Sequence, residues 1–103
     1  MDRYAGKPFL RLLECYVLNA IGQLDAQQAE SLRRMEPKLA NLYGTQGSWV
    51  EIVSSQMDFP ATLPAQINAI WEKGLLQARQ QGMAIDPNEF AMAFVDENFS
   101  GYA

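Results

Sequence analysis

Apolar residues in this chain recur at intervals of three and four, and each such run opens or closes on a residue that starts or stops helices. That combination constrains the fold more than any other feature. From Pro8, placed as a first helical residue, to about Gln23, one helix face is made by Phe9, Leu12, Leu13, Tyr16, Val17, Ala20, Ile21 and Leu24. Asp25, with Gln28 three residues on, reads as the N-cap of a second helix whose face is Ala29, Leu32 and Met35. Pro37 removes a main-chain donor and is expected to kink or split this helix. The continuation carries Leu39, Leu42 and Tyr43 up to a turn at Gly44-Thr45-Gln46-Gly47.

Ser48 and Glu51 form a capping box for a third helix facing inward with Trp49, Ile52, Val53 and Met57, which Asp58-Phe59-Pro60 ends. Pro64 opens a fourth helix with Ile67, Ile70, Trp71, Leu75 and Ala78 on one side, closed by Gly82. Asp86-Pro87-Asn88-Glu89 joins a cap, a first-turn proline and a capping-box glutamate, starting a fifth helix over 87–98 that includes Phe90, Ala93 and Phe94. No run alternates apolar and polar residues as a strand does, and no Asn-Gly or Asp-Gly hairpin signal occurs. The expected fold is all-α: one domain over residues 1–103, a compact bundle of about five helices. At 49 % hydrophobic residues the chain has enough apolar side chains for a core.

Composition then narrows the chemistry. There is no histidine, which removes Ser-His and Cys-His activation and the imidazole base. The single cysteine, Cys15, excludes an internal disulfide and any four-cysteine metal site. Arg11, one turn before Cys15, can lower a thiol pKa, but no partner base is evident, and burial is the ordinary reading. Glu89 and Asp96 share a helix stripe and read as solvated carboxylates. Asp96-x-Asn98-x-Ser100-Gly101 matches the first half of a calcium loop, whose twelfth-position glutamate is missing from the sequence. No phosphate-binding glycine motif is present. No catalytic activity, cofactor or metal site is therefore expected. The longest uncharged N-terminal run, residues 15–24, is half of the ~20 residues a bilayer crossing needs. A soluble, cytoplasmic protein with no membrane contact is the expectation.

Two helices carry apolar residues on a second side. In the first, Cys15, Leu18 and Gly22 fall opposite the main face; in the last, Met92, Val95 and Phe99 fall away from Phe90 and Phe94. A central helix packed on both sides explains this, and so does a partner or homodimer surface, with Gly22 allowing close backbone approach. The net charge of −4 is also uneven: residues 1–50 sum to +1 and residues 51–103 to −5, with Asp86, Glu89, Asp96 and Glu97 uncompensated. That region suits a basic protein partner. Cys15, Leu18, Gly22, Met92, Val95 and Phe99, with those four carboxylates, make up the candidate partner surface. The expected function is a small acidic helical protein-interaction module: a regulator, an adaptor or an inhibitor or immunity-like binding protein.

The alternative is a helix-turn-helix DNA-binding regulator. Ala40, Gly44, Val50 and Val53 have the small-residue, turn and core spacing of such a motif. Its would-be recognition helix holds Glu51 and no Lys or Arg, and the nearest basic cluster is Arg33, Arg34 and Lys38. Phosphate neutralisation supplies most non-specific DNA affinity, so charge opposes nucleic acid as the partner.

Overall fold

The computed structural model describes residues 8–99, which form five helices: α1 (Pro8–Ala20), α2 (Ala26–Tyr43), α3 (Trp49–Met57), α4 (Leu63–Gln80) and α5 (Pro87–Phe99). No strand occurs among the described residues. The ends of the helices follow the local chemistry of the chain. Asp25 Oδ1 accepts the Gln27 N–H at 2.7 Å, Ser48 Oγ accepts the Glu51 N–H at 3.2 Å, and Asp86 Oδ1 accepts the Asn88 N–H at 2.9 Å. Each satisfies a donor that a helix N-terminus leaves without an internal partner. Asp58 closes α3 in the left-handed region at φ 55°, a conformation its short polar side chain tolerates.

α1 is the centre of the molecule. Leu10, Leu12, Leu13, Cys15, Tyr16, Val17 and Leu18 are all buried, as is Ile21 just beyond the helix. Seven buried residues in nine consecutive positions cannot lie on one stripe of a helix, so α1 must be covered from several directions. Its closest neighbour is α5, followed by α4 and α3, while α2 packs chiefly on α3. Between them runs a chain of rings: Tyr16 to Phe59 at 5.2 Å, Phe59 to Phe99 at 5.4 Å, Phe99 to Phe94 at 5.9 Å, and on through Phe90 to Trp71. These tilted and edge-on contacts join α1, the α3–α4 turn, α5 and α4. Trp49 and Trp71 are both core residues.

Four expectations need correction. α2 runs as one helix through Pro37 and is not split. Proline forfeits one main-chain bond there, Pro37 faces solvent, and Leu32 and Leu39 anchor the helix on either side of it. The inward face of α5 is Ala91, Val95 and Phe99, with Phe90 and Phe94 on its flank and Ala93 exposed. On α4, Ile67 and Trp71 point inward but Ile70 is 52 % exposed. On α2, Leu32 and Leu39 are the buried pair, while Met35 and Leu42 face outward at 42 % and 70 % exposure.

Leu13→Ala in α1 is expected to lower unfolding free energy by about 2–5 kcal/mol, the usual range for truncating a buried leucine. Leu42→Ala is expected to change it by no more than about 0.5 kcal/mol. Urea denaturation of the two variants against the parent measures both.

Candidate functional site

Of the ten residues expected to form a partner surface, four lie inside the protein. Cys15, Leu18, Val95 and Phe99 are buried, Leu18 to 2 % exposure, in the core that α1 and α5 share with the other helices, and Cys15 borders α2 at Gln27, Gln28, Ser31 and Leu32. Met92 is half-buried. Gly22 is exposed, but its role is a turn: at φ 71° it takes the left-handed conformation that glycine adopts without steric cost. The Gln23 N–H then returns to the Leu18 carbonyl at 2.9 Å and closes α1. A side chain added at Gly22 would meet nothing within 4 Å, so no described part of the chain itself approaches closely there. Asp86, Glu89, Asp96 and Glu97 are all exposed.

Large apolar side chains are left exposed elsewhere: Ile70 and Leu76 on α4, Met83 after it, and Met35 and Leu42 on α2, where they border a groove. At ~100° per residue, Met35 and Leu42 stand about 60° round the helix from the buried pair Leu32 and Leu39. They belong to a face wider than α3 and α1 cover. The result is a groove of about 500 Å³ lined by Leu12, Met35, Leu39, Leu42 and Tyr43, with Lys38 and Asn41 as its polar members. α1 contributes its floor through buried Leu12, and the Phe9 ring meets Tyr43 edge-on at 5.6 Å. Sequence reasoning placed Met35, Leu42 and Tyr43 in the core, on helical spacing. The available signal was the low apolar content of the rest of α2, which leaves it docked by few residues.

The charges of α2 are unevenly engaged. Glu30 receives Arg33 at 2.9 Å and Arg34 at 3.5 Å. Glu36 accepts the Trp49 N–H at 2.8 Å, tying α2 to the first turn of α3, where the helix dipole favours an anion. Lys38, beside the groove, makes no ion pair among the described residues.

The α2–turn–α3 segment has the packing expected of its spacing. Val53 is fully buried, Ala40 and Val50 are half-buried, and Gly44 turns the chain at φ 68°. Trp49 and Ile52 are also buried, so α3 shows Glu51, Ser55 and Gln56 outward and offers no cation for phosphate. Of the half calcium loop, Asp96 and Asn98 are exposed, the Asn98 amide donates to the Phe94 carbonyl at 2.9 Å, and Ser100 and Gly101 lie outside the described residues. Among the described residues, no three His, Cys, Asp or Glu side chains gather as a metal site would need, and no helix is long and apolar enough to cross a membrane. Burial pushes the Cys15 thiol pKa up, Glu14 adds to the rise, and Arg11 partly opposes it. Neither a family model, nor a curated protein, nor a solved structure matches the chain.

The raised pKa and burial of Cys15 predict slow alkylation by iodoacetamide at pH 8 in the native protein and rapid alkylation in urea, read by intact mass. Equal rates in the two states would show an accessible thiolate. A fluorescent nonspecific duplex at low salt is expected to give no anisotropy change with the protein, as α3 carries no basic side chain.

Proposed function

We propose that this protein is a non-catalytic protein-interaction module, and that its working surface is the α2 groove and not the second faces of α1 and α5. The exposure of Leu42 and Met35 beside an open apolar groove carries this reading. An apolar side chain left in water forgoes about 25 cal/mol for each Å² that a partner would cover. Two of them on one helix stripe, bordering a groove with a buried leucine floor, form the kind of anchor site on which protein interfaces concentrate their energy. The groove is open to solvent and Leu42 at its edge is 70 % exposed, which suits a protein surface better than an enclosed small molecule. An adaptor, a regulator and an inhibitor or immunity protein all work this way. The exposed carboxylates of the C-terminal region, Asp86, Glu89, Asp96 and Glu97, support a further contact with a basic segment of a partner and a role in steering its approach.

The test pairs stability with partner retention in the source cell. Met35→Glu/Leu42→Glu is expected to keep the parent's melting temperature and to lose a stoichiometric partner at least about 30-fold in affinity, the ~2 kcal/mol of a hot spot. Ile70→Glu, on the exposed face of α4, is expected to keep that partner. Retention by the double variant, or equal loss by Ile70→Glu, counts against the groove.

A further inference from the structure

We infer that the occupant of the α2 groove is an acidic amphipathic helix of a partner protein. The inference rests on the interaction-module reading above and names the chemistry of the partner. The groove follows one helix, and its apolar members Met35, Leu39 and Leu42 succeed one another at four and three residues, the spacing on which a second helix seats its own i, i+3, i+4 and i+7 side chains.

Charge selects among helices. Both carboxylates of α2 are already engaged: Glu30 holds Arg33 and Arg34, and Glu36 holds the first N–H of α3. Of the three basic side chains of α2, Lys38 is the one with no ion pair among the described residues, and it lines the groove together with the Asn41 amide. An anionic side chain entering here gains a cation and an amide donor at the same apolar surface. The negative end of the α2 dipole opposes it at Asn41, Leu42 and Tyr43 and least at Lys38, which lies a turn earlier. That field is confined to the last turn, and the Tyr43 carbonyl there already accepts from Gln56 Nε2 at 3.3 Å and from Thr45 Oγ1 at 3.5 Å. The carboxylates of α5 belong to an element that packs chiefly on α1 and not on α2.

The same charge argues against a second copy. Antiparallel two-fold pairing of this stripe, with Met35 of one copy against Leu42 of the other, sets both Lys38 side chains beside the axis. Parallel pairing sets them side by side. Like charges at an interface disfavour both arrangements.

The test uses the full chain, isotope-labelled, with two hydrocarbon-stapled helical peptides that share one leucine stripe and differ in having all-Glu or all-Lys polar positions. The Glu peptide is expected to shift the amides of residues 35–43, to bind at least about tenfold more tightly than the Lys peptide, and to weaken as salt rises. Lys38→Glu is expected to reverse the preference without changing the melting temperature. Equal or tighter binding of the Lys peptide, shifts centred on α4 or α5, or no binding of either peptide would overturn the inference. So would sedimentation of the free protein as a dimer that Leu42→Glu dissociates, which assigns the groove to a second copy. Should Met35→Glu/Leu42→Glu lose the cellular partner while Lys38→Glu leaves its affinity unchanged, the groove stands and the acidic occupant falls.

Discussion

The structure depends on one helix that is buried on several sides. α1 buries residues in almost every direction, and its neighbours take their places from the need to keep water off it. α5 covers one side with Ala91, Val95 and Phe99; α4 supplies Ile67 and Trp71; α3 supplies Trp49, Ile52 and Val53. Leu13 and Val17 are fully buried, and truncating a side chain in such a site leaves a cavity that several helices would have to close at once.

α2 is placed by different means. It is long, rich in charged and amide side chains, and inserts only Leu32 and Leu39 fully into the core. Its position relies on the Glu36 carboxylate reaching the N-terminus of α3, on the Phe9–Tyr43 ring contact, and on the Gln56 amide reaching the Tyr43 carbonyl. Side chains and not close backbone packing bridge it to α1, and a groove is the consequence. The feature that reads as functional is therefore the by-product of a helix with more apolar width than its neighbours fill.

Much of the fold was legible in the residues because capping is local. Asp25, Ser48 and Asp86 bond to main-chain N–H groups two or three residues away, so a short stretch of chain contains the whole interaction. The second apolar sides of α1 and α5 were legible too, but their meaning was not. Cys15, Leu18, Val95 and Phe99 look identical on a helical wheel whether they await a partner or join the protein's own core. Met35 and Leu42 show the converse: they keep helical spacing with Leu32 and Leu39 yet stand in solvent.

The sequence by itself determined that the chain is helical, where α2, α3 and α5 begin, and that histidine chemistry and an internal disulfide are closed to it. Those outcomes follow from main-chain hydrogen bonding within a few residues and from composition alone. Only the tertiary structure decided which apolar stripes are consumed and which are left over. Burial belongs to pairs of elements: α5 packs against α1, nothing among the described residues lies on the outer edge of α2, and no periodicity within either helix contains that difference.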